Sequence, residues 1–174
     1  MTPEDYTIRE ANPYEFSEIG KLMVTVYSQL KGFPGPSESP EYYNKLNNVG
    51  DLTKSPEVKL IVAVTGSGNI GGSVVYFGDM AYYGSGGTAT TEKNAAGFRL
   101  LAVDPNTRGK GIGKLLSLAC IDIAKTEQQE QLVIHSTKAM QIAWGMYEKL
   151  GFKRSKDLDF KKGELDIYGF RLKL

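Results

Sequence analysis

Residues 100–113, with the sequence LLAVDPNTRGKGIG, decide the fold of this chain. They contain an apolar strand, a turn marked by Asp-Pro-Asn, three alternating glycines and the start of a helix whose apolar residues recur at helical spacing. Glycines between a strand and a helix allow the backbone to approach a ligand closely, because no Cβ is in the way. The N–H groups of the first helical turn then point at that ligand, and the helix dipole favours an anion. With Arg108, Lys110 and Lys114 nearby, the stretch predicts a cradle for a pyrophosphate.

The spacing of the glycines separates three kinds of phosphate cradle. A Walker-type loop needs a Gly-Lys pair followed by Ser or Thr to hold magnesium, whereas here Leu115 follows Gly113 and Lys114. A dinucleotide-binding fingerprint needs Gly-x-Gly-x-x-Gly and an acidic residue after the next strand. This chain has Gly-x-Gly-x-Gly, and its next predicted strand, residues 132–134, is followed by His-Ser-Thr. A nucleotide-binding module is therefore the weaker alternative.

Two motifs carry a resemblance to a known family. Arg-x-x-Gly-x-Gly follows a strand ending in Leu-Ala-Val, and this pattern resembles the acyl-CoA-binding motif of the GNAT superfamily of N-acyltransferases. Further along, Ala-x-x-x-Tyr-Glu-Lys-Leu-Gly-Phe at residues 143–152 is similar to the closing motif of that superfamily. The resemblance runs from residue 98 to residue 152 and implies acetyl-CoA, or coenzyme A, as the cofactor. It implies that the cofactor is bound by Leu101, Ala102, Val103, Arg108, Gly109, Lys110, Gly111, Ile112, Gly113 and Lys114.

Length and composition favour a single domain over residues 1–174, because a chain of this size can bury a sizeable core without staples. The net charge of +1 gives no strong attraction to nucleic acid or to an anionic membrane. Residues 1–5 lack the apolar core of a secretory signal, and no segment is long enough to span a bilayer. The one cysteine, Cys120, lies on an apolar helical stripe, where a buried core residue is favoured over a reactive thiol. We therefore expect a cytoplasmic protein, with a homodimer as one alternative for its oligomeric state.

Periodicity and turn residues predict seven strands and four helices. The strands are expected at residues 6–9, 58–65, 70–77, 98–103, 132–135, 152–160 and 166–172. The helices are expected after Asn12, at residues 41–52, after the glycine loop and at residues 139–150. Residues 31–40 predict a loop, and residues 79–95 predict a mobile excursion between two strands, which is often a functional sign.

This order of elements matches the GNAT fold, an α/β (α+β) arrangement. That fold has a mixed, strongly twisted sheet of about seven strands with helices on both faces. The resemblance implies a V-shaped splay between the fourth and fifth strands, into which the cofactor enters. A strand without a neighbour has free N–H and C=O groups, and here these belong mainly to Leu101 and Val103.

The resemblance further implies an N-acetyltransferase that moves an acetyl group from acetyl-CoA to a primary amine of a small molecule or peptide. The amine attacks the thioester directly, and no metal takes part. The reaction needs a donor for the carbonyl oxygen as it becomes negative and an acid for the departing thiolate. The resemblance places the backbone N–H of Val103 in the first role and Tyr147 in the second. Spacing alone places Tyr147 on the apolar stripe of its helix, where a core tyrosine is the alternative.

The general base is the part of the reaction for which the sequence has no obvious candidate. Many family members carry a glutamate six residues before the last valine of the fourth strand, where this chain has Gly97. Replacements include Glu92, Asp79, an ordered water and His135, whose neutral imidazole could act as a base; a structural histidine is the alternative. Met140 stands where the family often has a cofactor-binding asparagine, which removes one hydrogen bond.

The sequence does not identify the acceptor. Acidic residues near the closing strands could attract a cationic amine, but lysines are mixed among them and a solvated surface is the favoured interpretation. These acidic residues are Asp157, Asp159, Glu164 and Asp166. Because Gly97 replaces the usual glutamate, a CoA-binding sensor or interaction module with little or no turnover is the alternative to an enzyme.

Overall fold

The computed structural model describes residues 5–174, so the expectation about a secretory signal concerns residues that lie almost entirely outside the described part. The strands are β1 (Tyr6–Glu10), β2 (Val58–Thr65), β3 (Ile70–Phe77), β4 (Ala95–Val103), β5 (Gln131–Ser136), β6 (Lys153–Arg154), β7 (Phe160–Lys162) and β8 (Leu165–Lys173). The helices are α1 (Phe16–Ser28), α2 (Pro40–Asn47), α3 (Ile112–Thr126) and α4 (Gln141–Lys149). None of these four helices combines the length and the apolar character that crossing a membrane requires.

The strands form a mixed sheet in the order β1-β2-β3-β4-β5-β8-β6, with β7 paired to β8. Every pair of neighbours is antiparallel except β4 and β5, which are parallel. These two strands pair only where residues 95–97 lie beside residues 131–133, and beyond Gly97 they part. The predicted mixed sheet with a V-shaped splay between the fourth and fifth strands is therefore confirmed.

Helices cover both faces of the sheet, as the sequence predicts. α1 and α2 bury Ile19, Met23 and Leu46 against one face, whereas α3 packs Leu116 and Cys120 against the other. All five side chains have no exposed surface, and burial of each large aliphatic one contributes roughly 1.5–3 kcal/mol. Burial also raises the pKa of the Cys120 thiol. Cys120 is thus a core residue, which is the favoured expectation.

β4 contains an irregularity in the half that has separated from β5. Its pairing with β3 shifts between the pairs Ser73–Ala102 and Val75–Arg99, and Leu100 has a φ of 61°. A leucine in the left-handed region is strained and persists only where its surroundings hold it. A bulge of this kind bends a strand and changes which of its backbone groups face a given side. The free edge of β4 is therefore not that of a regular strand.

The prediction of one continuous strand over residues 152–160 is wrong. The chain instead forms β6, a 3-10 turn at Lys156–Leu158 and then β7. The Asp159 carboxylate accepts hydrogen bonds from Arg154 and from the Gly169 N–H at 2.7 Å. Aspartates are poor strand formers, and the turn places the Leu158 side chain, which is fully buried, directly over Gly169.

The second helix is shorter than predicted. α2 ends at Asn47, and a 3-10 segment at Val49–Lys54 takes the place of the last predicted turn. A Cβ at Gly50 would lie 2.2 Å from the Phe16 ring, so the chain passes very close to α1 at this glycine. Glycine is also a weak helix former, and this contact therefore sets the path of the chain.

The connection between β3 and β4 is anchored to the sheet, whereas the sequence predicted a mobile excursion at residues 79–95. The connection forms 3-10 turns at Met80–Tyr82 and Ala89–Thr91. Tyr83 and Ala89 are both fully buried. Isolated buried residues in a stretch rich in glycine and serine have no periodicity, so the pattern of the sequence did not indicate them.

The contact between α1 and α2 yields a stability prediction. A Cβ on Gly20 of α1 would lie 2.1 Å from the Asn47 carbonyl oxygen, whereas a Cβ on Gly145 of α4 would meet nothing within 4 Å. We expect Gly20→Ala to lower the free energy of unfolding by roughly 1–3 kcal/mol through overpacking. Gly145→Ala should raise it by roughly 0.5–1 kcal/mol through helix propensity. Urea unfolding of both variants tests this, and a stabilised Gly20→Ala variant would contradict the close approach of the two helices.

Candidate active site

The gap between β4 and β5 opens into a cavity of about 1220 Å³. The glycine loop, residues 108–113, and α4 form one end, which we call the loop end. The connection between α1 and α2, together with β7 and β8, forms the other end, which we call the hairpin end. Ligand pockets for one small molecule commonly measure about 300–1,000 Å³. This cavity is therefore larger than a pocket for one small molecule usually is.

The loop end presents unpaired backbone donors. Gly109 and Gly111 have φ values of 80° and 78°, which glycine adopts without strain, and Gly111 immediately precedes α3. The first N–H groups of a helix have no acceptor within the helix, and no side chain caps them here. Arg108 and Lys114 line the same end of the cavity, and neither forms a salt bridge with another described residue. This arrangement can hold an anion.

Most of the residues predicted to hold a cofactor line the cavity. Eight of the ten do so, and the two that do not are Ala102 and Lys110. Ala102 is buried within β4, and its neighbour Asp104 donates its N–H to the Gly71 carbonyl of the β3 side at 2.9 Å. Backbone groups alternate in direction along a strand, so Ala102 directs its N–H toward β3 as well.

The same alternation directs the backbone N–H group of Val103 toward the gap. One of the edge groups that the sequence analysis treated as free is occupied, because the Tyr27 hydroxyl donates to the Leu101 carbonyl oxygen at 3.0 Å. Tyr27 belongs to α1 and lines the cavity. It therefore ties the hairpin end of the cavity to the free edge of β4.

Tyr147 lies on α4 and faces the cavity between its two ends. Its ring packs edge-on against Phe98 and Phe152, with ring centroids 5.8 Å apart in both pairs. Burial raises the pKa of the phenol, so the hydroxyl is protonated at neutral pH. No hydrogen bond joins that hydroxyl to another described residue. Tyr147 therefore has a ring packed in the core and a hydroxyl that remains free to donate a hydrogen bond.

The space at Gly97 is filled by other groups. A Cβ there would lie 2.6 Å from the Val133 carbonyl oxygen and 2.8 Å from the Tyr83 ring. Both neighbours are fixed, since Val133 pairs with Gly97 across the two strands and Tyr83 is fully buried. A glutamate at position 97 would have to displace one of them. Glycine at this position is therefore required by the packing.

His135 has both ring nitrogens engaged. Nδ1 lies 2.9 Å from the Tyr83 hydroxyl, and Nε2 lies 3.0 Å from the Leu158 carbonyl oxygen. A carbonyl can only accept, so Nε2 carries the proton and Nδ1 accepts from Tyr83. Burial lowers the pKa of the imidazole. His135 is therefore a neutral side chain whose one lone pair is already occupied, which disfavours a role as base.

The other two candidate bases lie outside the cavity lining. Glu92 pairs with Arg171, and the Asp79 carboxylate accepts from the Ala81 N–H at 2.9 Å. Contacts with other residues engage all three side-chain candidates, so an ordered water is the remaining candidate base.

Two hydroxyl groups that the sequence analysis did not assign lie in the cavity. Ser136 ends β5, Thr137 follows it, and both side chains line the gap. Ser136 is 2% exposed and Thr137 is 3% exposed, yet neither hydroxyl has a hydrogen-bond partner among the described residues. Buried hydroxyls are usually hydrogen-bonded, so these two have capacity for a polar ligand of the cavity. In the sequence, the feature that could have indicated these hydroxyls is the Ser-Thr pair after the fifth predicted strand.

Comparisons with known proteins agree with this architecture. Residues 23–152 match the model of the acetyltransferase (GNAT) family. An acetyltransferase of the GNAT family from Staphylococcus aureus Mu50 superposes with a TM-score of 0.74 and 19% identity, over 97% of this chain and 99% of that one. The PaiA N-acetyltransferase of Thermoplasma acidophilum, solved in complex with coenzyme A, has a TM-score of 0.72 and 16% identity, over 97% and 99% of the two chains.

One relative has a higher sequence identity, but over a shorter segment. The N-acetylaspartate synthetase of Xenopus tropicalis is 37% identical over 62 residues, which is 36% of this chain. The aligned segment spans only 23% of the length of that relative. The similarity thus concerns less than a quarter of the other protein.

The engaged imidazole yields a prediction about titration. His135 is the one histidine of the chain, so its NMR signals need no assignment. We expect its pKa to lie below the ordinary value of about 6.5, and Tyr83→Phe, which removes the donor to Nδ1, should raise it. Because the folded state resists protonation, the free energy of unfolding should fall as the pH drops below about 6.5 and stay level above it. An imidazole that titrates at or above about 6.5 in the folded protein would contradict the burial of the ring and the role of Nδ1 as an acceptor.

Proposed function

Because the chain belongs to the GNAT family of acetyltransferases, we propose that it transfers an acetyl group from acetyl-CoA to the amino group of an acceptor. The observation that carries the proposal is the separation of β4 from β5 beyond Gly97. It leaves a cavity with an anion site at one end, a free strand edge along one side and a protonated phenol between its ends. The coenzyme A complex of the Thermoplasma acidophilum enzyme supports the choice of cofactor.

The loop end has the chemistry that coenzyme A requires. A pyrophosphate is an anion, and it suits the unpaired N–H groups at the start of α3 together with Arg108 and Lys114. The polar arm of the cofactor suits the free edge of β4 beside Val103, and it offers partners to the unpaired hydroxyls of Ser136 and Thr137. When bound, acetyl-CoA supplies an activated acetyl thioester.

Two groups of the chain then have defined roles in this proposal. The Val103 N–H, which faces the gap, donates to the carbonyl oxygen of the thioester as negative charge develops there. Tyr147, which is protonated at neutral pH, donates its proton to the departing thiolate, and the proton that the attacking nitrogen loses as the amide forms restores the phenol. Both donors are fixed in position, one by the backbone of β4 and the other by its packed ring.

Deprotonation of the amine is assigned to no side chain. His135 has no free lone pair, and Gly97 excludes a glutamate from the usual position. We therefore propose that the amine reacts in its neutral form, after losing its proton to water. This makes the intrinsic pKa of the acceptor a determinant of the rate.

The space filled at Gly97 also favours a second candidate function, a CoA-binding module with little or no turnover. The discriminating experiment measures release of free thiol from acetyl-CoA in the presence of amino acids, polyamines and peptides, with mass spectrometry of the products. The panel includes amino acids because the name of the Xenopus relative specifies one. Acetylated product supports the enzyme. Calorimetric binding of CoA without any product supports the module, and absence of CoA binding contradicts both.

The glycine loop yields a prediction about cofactor binding. A Cβ on Gly113 would be 3.6–3.8 Å from side-chain atoms of Val103, Met146 and Leu101, which is ordinary contact, so Gly113→Ala should fold. The added methyl group occupies the loop end of the cavity and costs the cofactor a charge-assisted hydrogen bond. We expect CoA affinity, measured by calorimetry, to fall by about 1.5–3 kcal/mol, or roughly ten- to a hundredfold.

The matched control is Gly66→Ala. Gly66 lies in the turn between β2 and β3, where an added Cβ would meet nothing within 4 Å. This variant should bind CoA with unchanged affinity. A folded Gly113→Ala variant that also binds normally would place the cofactor elsewhere.

Tyr147 yields a prediction about turnover. Tyr147→Phe removes a hydroxyl that has no hydrogen-bond partner among the described residues, so stability and CoA affinity should change little. The rate of acetyl transfer should fall by roughly 10²–10⁴-fold, the usual contribution of a general acid. Stopped-flow measurement of thiol release, combined with thermal unfolding, tests both statements.

Tyr76→Phe provides the opposite control. The Tyr76 hydroxyl donates to the Glu127 carboxylate at 2.6 Å, away from the cavity lining. Its loss should destabilise the fold by about 1.5–3 kcal/mol and leave turnover unchanged. Normal turnover in Tyr147→Phe would reduce Tyr147 to a core residue.

A further inference from the structure

The five arginines of the chain fall into two groups. Three of them form ion pairs with carboxylates: Arg9 with Glu15, Arg154 with Asp159, and Arg171 with Glu92 and Asp157. Arg99 and Arg108 form no ion pair with any described residue, and both line the cavity. Arg108 belongs to the proposed anion site at the loop end. Arg99 has no part in the proposed function.

Arg99 is held in place without being neutralised. Its Nη1 donates to the Tyr83 carbonyl oxygen at 2.8 Å, and its guanidinium carbon lies 5.6 Å from the centroid of the Tyr83 ring. A guanidinium has five N–H donors, and no other hydrogen bond joins it to a described residue. The side chain is therefore pre-oriented and retains donors for a ligand.

A second cation lies near Arg99 at the hairpin end. The Lys162 ammonium lies 5.0 Å from the centroid of the Tyr42 ring. Burial, and next the charge of Arg99, lower the pKa of Lys162. The two positive charges are thus close enough to repel each other. An anion placed between them would be attracted by both.

The chain supplies no such anion. No aspartate or glutamate is among the described residues that line the cavity. Three of the four acidic residues near the closing strands pair with other cations, and Glu164 is exposed outside the lining. The pairs are Asp157 with Arg171, Asp159 with Arg154, and Asp166 with Lys161. Attraction of a cationic amine by these acidic residues therefore has no support in the structure.

On the basis of the proposed acetyl transfer, we propose that the acceptor is an amine that carries a carboxylate, such as an amino acid, and that Arg99 and Lys162 bind this carboxylate. A carboxylate accepts two hydrogen bonds from a guanidinium and neutralises the repulsion between the two cations. A polyamine meets only like charge at this end. Because no acidic side chain is among the described residues of the cavity lining, nothing there stabilises the ammonium form of the acceptor. The neutral form, which can react, is therefore favoured.

The first test compares amino acids with their own carboxamides. L-Phenylalanine and L-phenylalaninamide have the same side chain and differ in one charge. We expect kcat/KM to be roughly ten- to a hundredfold higher for the amino acid. The preference opposes intrinsic reactivity, because the amide has the less basic amine and more of it is neutral. Equal or faster acetylation of the amide, or of spermidine, overturns the proposal.

Variants locate the effect. Arg99→Gln should remove most of the preference for the acid while the rate with the amide and the affinity for CoA stay unchanged. Lys162→Met should reduce the preference several-fold, since its ammonium is more exposed and more screened. Arg9→Gln, which removes an arginine paired with the buried Glu15 away from the cavity lining, is the matched control: it should weaken the fold and leave the preference for the acid unchanged. Equal losses for acid and amide in Arg99→Gln would make Arg99 structural and overturn the proposal.

A binding measurement separates this proposal from the proposed function. N-Acetyl-L-phenylalanine carries the carboxylate and has no reactive amine, so we titrate it calorimetrically into the CoA-loaded protein. If the ligand binds and Arg99→Gln weakens this binding by at least tenfold, the carboxylate site is supported. If the same protein acetylates no amine, the proposed acetyl transfer is contradicted while the site remains supported. Acetylation of amines without any contribution from a carboxylate supports the enzyme and contradicts the site.

Discussion

The end of the β4–β5 pairing at Gly97 is the constraint on which the rest of the structure depends. Up to Gly97 the two strands form an ordinary parallel pair, and beyond it each follows its own path. Glycine leaves room at this point for the buried ring of Tyr83, which anchors the connection between β3 and β4. The packing at this last paired residue also leaves no room for an acidic side chain. The cavity therefore opens at the same position at which the usual glutamate is absent.

The proposed acetyl transfer depends on groups whose positions the fold fixes. The donors at the loop end are backbone N–H groups at the start of α3, and the donor on the strand is the N–H of Val103. The phenol of Tyr147 is held by two aromatic contacts. Groups fixed in this way need little reorganisation when charge develops, which is what electrostatic stabilisation requires. The strained backbone at Leu100 fits this pattern, because it lies on the same free edge.

The sequence predicts the frame of the molecule well and its polar contacts poorly. The alternation of strand and helix, the glycine loop and the closing motif depend on local spacing, and they specify the mixed sheet and the splay of β4 and β5. Contacts between distant segments have no local signature. The Tyr27 hydroxyl on Leu101 spans 74 positions of sequence, and the Tyr83 hydroxyl on His135 spans 52. The break in the strand after Phe152 was not predicted for the same reason, because it depends on the packing of Leu158 over Gly169, which lies in β8.

The hydrogen bonds of His135 have a consequence for the whole molecule. Histidine and cysteine are the side chains whose ordinary pKa values lie nearest neutrality, and the chain has one of each. Burial moves the pKa of His135 down and that of Cys120 up, so both titrate away from neutral pH. The charge of these side chains is consequently invariant across the range in which cells fluctuate. Neither side chain therefore buffers near neutral pH, and under the proposed function the ionisation of the acceptor amine becomes the main source of pH dependence in that range.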